Sequence, residues 1–413
     1  MTERSRGRSG RNRSAHPTID DVARAAGVSK GTVSNVINHR VAVSPDTRAR
    51  VERAIRALDF QPAETARALT ARKGPADHES RADPSTPRLT AVGYVSVDFT
   101  AALDRLPERE ERRLSDAIHK SIGGPAANVA AVAAGLGPPY AVAASLIAPV
   151  GTDQDSDWAI AELSSRKVDL ISFQERRDGR MNRALVLVEA DGRRTIVNEP
   201  SSLAEVDVRR FIEETDPGGL SWDLHMEGYQ VPRQIAAMPD ARARGFRTSM
   251  QATGLPPDWL RANVAQVLAS FDVVVLHRES LGMLDLGGAE GDTDNAIAEL
   301  ARRASAYSGR SWPGLIAVTL GARGAAAITR EGRIVRACAP VVPVVDTTGA
   351  GDAFVGAFLA AWLNEAPVET ALALGCAAGS LQVTRFGAQE MRPSAHELQS
   401  IVGRMMPAAA LAD

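Results

Sequence analysis

The run Val344-Val345-Asp346-Thr347-Thr348-Gly349-Ala350-Gly351-Asp352-Ala353-Phe354 is the part of the chain best suited to chemistry, because a glycine-rich turn leads straight into the helical stretch from Val355 to Leu363. The first N–H groups of a helix have no intrahelical acceptor and lie at the positive end of its dipole, so such a turn makes an anion site. The anion it fits is the charge that develops on a phosphoryl group in transfer. Asp352 stands at the start of that helix, where its carboxylate could take the proton of an attacking hydroxyl. An ordinary helix-capping loop has the same local form, so the chemical reading needs partners elsewhere in the chain.

Two different patterns surround this run. Residues 74–88 collect Gly, Ser, three prolines and scattered charge without apolar periodicity, which predicts a linker. Beyond it, Leu89 to Val97, Leu185 to Val188, Phe271 to Leu276 and Leu315 to Leu320 read as strands interleaved with helical stretches. That alternation predicts an α/β sandwich on a mainly parallel sheet, with ligands gathered at the strand C-termini. The uncharged stretch from Ala126 to Val150 is interrupted by Pro138 and Pro139, and it reads as a helix followed by a buried strand rather than as a membrane span.

Ahead of the linker the signals are those of short helices. Thr18, Ser29 and Ser44 are N-caps, Gly27 ends the first helix, and Pro45 occupies the first turn of the third. Ile19, Val22, Ala23 and Ala26, then Val33, Val36 and Ile37, then Val51, Ile55 and Leu58 fall at core spacing, leaving Lys30, Gly31, Thr32, Ser34 and Asn35 exposed. Residues 1–73 carry a net charge of +8 and the remainder −10, within a total of −2. A basic module ahead of an acidic body is the electrostatic footprint of a nucleic-acid-binding appendage.

The remaining composition sets bounds. With 413 residues, 44% hydrophobic and 24% charged, the chain has material for two or three folded units and is not that of a disordered protein. Cys338 and Cys376 lack metal-ligand spacing and read as reduced thiols of a cytoplasmic protein. The Arg-rich start has no apolar stretch, so residues 1–17 read as a basic arm and not a secretory signal.

Two resemblances follow from these residues. TIDDVARAAGVSKGTVSNVINHRVAVSPDTRARVERAIRALDFQP, from Thr18 onward, resembles the helix-turn-helix headpiece of LacI-family regulators, and the likeness extends to about Arg72. It implies a double-stranded DNA operator as partner, with Lys30, Gly31 and Asn35 at base edges and Thr32, Ser34 and Asn38 at phosphates. It also implies that Leu69, at the end of a hinge helix, enters the minor groove. Asn35 stands where the family usually has Arg, and Gly31 has no side chain to read with, so the operator differs from those of well-known members.

The string from Asp346 to Asp352 resembles the hallmark of the ribokinase-like, PfkB carbohydrate kinases, and the likeness spans Leu89 to about Met391. It implies a ribokinase-like α/β sandwich with a β lid, built from residues 99–121 and 180–197, behind a small all-α domain. Asp352 would be the base, and the amides of Gly349, Ala350 and Gly351 the anion hole. Asp98, Gly124 and Asn128 would hold the substrate, and Thr319, Gly321, Gly324 and Gly387 the ATP. Asp346 and Thr348 would serve a monovalent cation, K+. The family's Asn-x-x-Glu motif, which organises Mg2+, is replaced by His277-Arg278-Glu279-Ser280, leaving Glu279 one place out of register. Ser96 and Pro125 stand where ribokinases have Asn and Lys, which turns the expectation away from ribose itself.

The expected divisions are therefore an arm at 1–17, a headpiece with its hinge at 18–73, a linker at 74–88 and a kinase body at 89–413. The expected function is ATP-dependent phosphorylation of a sugar or related small alcohol, joined to sequence-specific DNA binding and transcriptional regulation, in a homodimer. The altered stretch at 277–280 leaves open an alternative, a weakly active or inactive kinase fold that acts as a ligand sensor.

Overall fold

The computed structural model describes residues 19–29, 32–33, 36, 44–57, 83, 85–172, 179–190, 192–199, 203, 206–284, 292–306, 312–389 and 391–405. They fall into two compact units, Met1–Arg72 and Lys73–Asp413.

In the first unit, α1 (Ile19–Ala26) and α2 (Pro45–Ala57) flank a helical segment that includes Thr32, Val33 and Val36. Gly27 closes α1 at φ 64°, the left-handed conformation that glycine adopts without a Cβ penalty. Ser29 Oγ accepts the Thr32 N–H at 3.1 Å, and Ser44 Oγ accepts the Thr47 N–H at 3.3 Å, so two of the expected caps are made. Val22, Ala23, Ala26, Val33, Val36, Val51 and Ala54 form the core. Thr18 lies outside the described residues.

The second unit is a sandwich around a nine-stranded sheet in the order β13-β12-β11-β10-β9-β8-β1-β4-β5. Its strands are β1 (Arg88–Val92), β4 (Ala143–Ile147), β5 (Val168–Ile171), β8 (Trp222–Glu227), β9 (Arg247–Gln251), β10 (Val273–His277), β11 (Leu315–Thr319), β12 (Ala325–Thr329) and β13 (Ile334–Ala337). Pairing is parallel from β5 across to β11, and β12 and β13 add an antiparallel edge. Helices cover both faces. On one side α5 (Val208–Glu214), α6 (Pro257–Ser270) and α7 (Thr293–Ala306) bury Phe211, Leu260 and Ile297. On the other, α3 (Pro125–Gly135), α8 (Ala350–Leu363), α9 (Val368–Gln382) and α10 (Ala395–Met405) bury Val129, Phe358, Leu372 and Leu398, while Leu163 of α4 (Gln154–Ser165) joins a third cluster with Ala91 and Val97. No described helix is long and apolar enough to cross a membrane.

A separate four-stranded sheet, β3-β2-β6-β7, forms the lid from β2 (Ser96–Leu103), β3 (Ile118–Gly123), β6 (Asn182–Glu189) and β7 (Arg194–Asn198). Here one expectation is corrected. Leu89 to Val97 is not a single strand: β1 ends at Val92, β2 begins at Ser96, and the two lie in different sheets. Gly93 makes the break because a Cβ there would stand 2.4 Å from the Glu227 carboxyl. The expected helix and strand between Ala126 and Val150 are α3 and β4.

Candidate active site

Four neighbouring parallel strands end on polar residues: Thr319 on β11, His277 on β10, Gln251 on β9 and Glu227 on β8. Facing this row, α8 begins at Ala350 with Gly349 as its N-cap at φ 76°. A Cβ on Gly349 would come within 2.9 Å of Ala388, so only glycine lets the turn pass this closely under the 384–388 loop.

Asp352 sits in the first turn of α8, buried, and two amides hold its carboxylate. Asn128 Nδ2 donates to Oδ2 at 2.7 Å, and Gln251 Nε2 donates to Oδ1 at 2.8 Å. Gln389 Nε2 in turn donates to Asn128 Oδ1 at 2.7 Å, which fixes the amide's orientation. Burial pushes the Asp352 pKa up, and the hydrogen bonds from Asn128 and Gln251, with the more distant charges of His277 and Arg194, pull against it. The sum is a carboxyl more basic than an ordinary aspartate, in a fixed rotamer, at the mouth of a helix N-terminus. It could accept a proton from a hydroxyl.

Asp98 lies on β2, where Ser96 Oγ donates to Oδ1 at 2.7 Å. Burial outweighs that bond and pushes its pKa up to about 6. Its carboxyl rests on Gly123, where a Cβ would approach Oδ2 to 2.1 Å. Gly124, at φ 103°, turns the chain from β3 into α3 and so aims Asn128 at Asp352. Glu227 binds the same hinge from below, its Oε1 accepting the Tyr94 N–H and its Oε2 the Ala126 N–H, each at 3.1 Å. Fully buried, Glu227 has its pKa pushed up to about 8.

The remaining candidates divide. Gly321 (φ 61°) and Gly324 (φ 93°) flank a short 3-10 turn after β11, and Gly324 packs too close to Ala337 for any side chain. Asp346 accepts the Thr348 N–H and hydroxyl through Oδ1 and the Gly387 N–H through Oδ2, so it ties the 344–348 run to the 384–388 loop. His277 Nδ1 hydrogen bonds the Thr319 hydroxyl at 3.2 Å and Nε2 the Thr253 hydroxyl at 3.0 Å, and the ring lies 3.5 Å from where a Gly351 Cβ would be.

Glu279, two residues beyond His277, is exposed and paired with Arg278 at 3.0 Å. Among the described residues no three His, Cys, Asp or Glu stand together to share a metal.

The lid reaches back over the site. Arg194, at the start of β7, donates to Thr347 Oγ1 at 2.7 Å, and Phe386 packs on the lid's inner residues Ala184, Val186 and Val188. Gln251, Gln389, Glu227 and Arg194 were not among the residues singled out from the sequence. In the first unit, Thr32 is hydrogen-bonded to the Ser29 hydroxyl. Lys30, Gly31, Ser34, Asn35, Asn38 and Leu69 lie outside the described residues.

Comparison with known proteins gives two family matches, pfkB family carbohydrate kinase over residues 86–395 and bacterial regulatory proteins, lacI family, over residues 18–63. An ATP-dependent ribose-1-phosphate kinase of Halopiger xanaduensis is 33% identical over 314 residues, 73% of this chain and 94% of that protein. A 5-dehydro-2-deoxygluconokinase of Bacillus velezensis is 23% identical over 330 residues, 76% of this chain and 94% of that protein. Among solved structures, a ribokinase from Thermotoga maritima superposes with a TM-score of 0.59 at 21% identity, covering 77% of this chain and 99% of its own.

Proposed function

The chain belongs to the pfkB family of carbohydrate kinases and carries a lacI-family module at residues 18–63, and from that premise we propose that it phosphorylates a hydroxyl of a sugar or sugar phosphate with ATP and regulates transcription from a DNA operator. The observation that carries the kinase reading is Asp352, gripped by Asn128 and Gln251 at the N-terminus of α8. Its carboxylate takes the proton of the acceptor hydroxyl as that oxygen attacks the γ-phosphorus and the bond to the β–γ bridging oxygen breaks, releasing ADP. The amides of Gly349, Ala350 and Gly351 steady the charge on the transferring group, and Asp98 with Asn128 and the Gly124 turn orients the acceptor. Thr319, Gly321, Gly324 and Gly387 border the nucleotide. Bound magnesium would neutralise phosphate charge, with Glu279 limited to contact through water. Asp346 and Thr348 fit a monovalent cation only as second partners of the loop they already tie together. Lid closure, marked by Arg194 on Thr347, keeps water from the γ-phosphate.

Ribose 1-phosphate is the first acceptor to try, because the relative named for it shares 33% identity against 23% for the deoxygluconokinase. The division into arm, headpiece, linker and body, a homodimeric state and a cytoplasmic location are part of the same reading. So are the DNA contacts assigned to Lys30, Gly31, Thr32, Ser34, Asn35, Asn38 and Leu69.

The test is ATP consumption by the full chain with Mg2+ and K+ across pentoses, pentose phosphates, hexoses, keto-deoxy acids and nucleosides. Turnover on one class, reduced at least about a hundredfold in Asp352→Ala, is the expected result. Binding of a panel member without turnover would replace the kinase by a ligand sensor, the reading that the displaced Glu279 favours.

A further inference from the structure

The sheet beneath Asp352 has a composition that a sandwich interior ordinarily excludes. In β8 the residues run Trp222, Asp223, Leu224, His225, Met226, Glu227, alternately apolar and polar, and all six are buried. On a strand such alternation puts the polar residues on one face. Here that face meets helices: Glu227 accepts the Ala126 N–H of α3, Gln251 reaches Asp352 of α8, and Arg247 stacks on Trp362 of α8. The neighbouring strand β9 adds Ser249 and Gln251, both fully buried, in register with His225 and Glu227.

These side chains connect in series. Asp223 Oδ2 hydrogen bonds Ser249 Oγ, Ser249 Oγ meets His225 Nδ1 at 2.8 Å, and Gln251 Nε2 donates to Asp352 Oδ1 at 2.8 Å. Between the two halves, the register makes His225 and Gln251 diagonal neighbours on one face, and His225 Nε2 and Gln251 Oε1 are both buried without a hydrogen-bond partner. When the imidazole proton sits on Nε2, these two atoms are a donor and an acceptor that a small shift lets satisfy each other. We propose that Asp223, Ser249, His225 and Gln251 are positioning residues, a buried relay behind Asp352 that fixes the rotamer of its carboxylate for proton transfer. The proposal rests on the kinase reading of the site.

The order of protons along the relay follows from the chemistry of its members. Ser249 has one hydroxyl proton, which serves either Asp223 or His225 Nδ1. When it serves Asp223, His225 keeps its proton on Nδ1 and leaves Gln251 without a donor. When it serves His225, the imidazole proton sits on Nε2, Gln251 Oε1 accepts it, and Asp223 must itself be protonated. Burial makes that second arrangement accessible by pushing the Asp223 pKa up to about 7. An amide does not pass protons along, so Gln251 makes the relay an orienting device and not a proton exit.

The experiment uses the full chain with the acceptor found in the panel. His225→Leu should lower kcat about tenfold or more with the KM values for ATP and acceptor within about twofold, and His225→Gln, which keeps an amide donor, should recover most of the loss. Ser249→Ala, a smaller change to the fold, should lower kcat in the same selective way. A folded His225→Leu with unchanged kcat, or a His225→Gln as slow as the leucine variant, would overturn the proposal. A second readout needs no turnover: in 15N-labelled protein the His225 Nε2–H should be protected from exchange and should shift in Gln251→Leu. A His225 resonance indifferent to that substitution would also overturn it. A wild-type chain that phosphorylates nothing would sink the kinase reading instead, and the imidazole resonance would still decide whether the chain of contacts exists.

Discussion

Asp98 and Asp352 are both buried carboxyls, and their partners set them apart. Asp98 has a single hydroxyl donor against its burial, and its pKa stands at about 6. A hydrogen bond from an acceptor hydroxyl is strong only while Asp98 is charged. Acceptor KM is therefore expected to rise as pH falls through about 6, and Ser96→Ala, which removes the opposing bond, should move that inflection upward. Steady-state kinetics between about pH 5 and pH 8 would check both, and a flat acceptor KM would contradict the role of Asp98. Asp352 was legible in the sequence because it sits inside a contiguous glycine-rich run, and Asp98 and Asn128 followed from the family resemblance that this run carries. Gln251, Gln389, Glu227 and Arg194 were not. Each is one polar residue at the end of an element, and only the packing of distant strands and loops brings it to the site.

At the scale of elements, the hinge between β3 and α3 joins the lid to the body, and its glycines are set by close approach. Adding a methyl at Gly123 drives a Cβ to 2.1 Å from the Asp98 carboxyl, so the carboxylate must turn out of its place beside Ser96 or β2 must shift. Gly123→Ala should raise acceptor KM about tenfold or more, leave the KM for ATP near its normal value, and cost about 1–3 kcal/mol of stability. Acceptor kinetics and thermal unfolding would show it, and an unchanged acceptor KM would count against the hinge. Of the strands readable in the sequence, β10 and β11 are nearly pure apolar runs. Strands β8 and β9 were missed for the opposite reason, since β8 alternates apolar with polar residues and β9 has Met250 as its one apolar residue, patterns that look solvent-washed until helices cover them. Alternation in a chain already read as a doubly covered sheet is itself the available signal. The break at Gly93 had no local signal apart from the glycine, because the Glu227 that forbids a side chain there lies 134 positions away.

For the whole molecule, the buried acids govern how stability follows pH. Asp98, Asp223 and Glu227 have folded pKa values of about 6, 7 and 8, all above their unfolded values. Between those limits the folded chain holds protons that the unfolded chain has lost. Their contribution is fully present below the unfolded carboxylate range and disappears as pH rises through the folded values. His225, its pKa pushed down to about 3 by burial, opposes this trend below the ordinary histidine range, so the fall is cleanest above it. The Tm of the kinase body is expected to drop between about pH 6.5 and pH 8.5, and Glu227→Gln should flatten the profile. A Tm that rises over that interval would be inconsistent with these buried protons. The lacI-family module adds a second whole-molecule expectation. Its net charge of +8 over residues 1–73 predicts operator affinity that falls steeply with salt, and an acceptor that regulates transcription must change that affinity at fixed salt. Fluorescence anisotropy of labelled operator DNA would measure both, and affinity indifferent to every acceptor would remove the regulatory role. The polar face of β8 and β9 has a consequence for laboratory evolution. Leucine, valine and alanine at Asp223, His225 and Ser249 would relieve buried atoms such as Asp223 Oδ1 that lack a partner, so a selection for heat resistance alone would favour them. The hardiest survivors of such a selection would be the slowest enzymes.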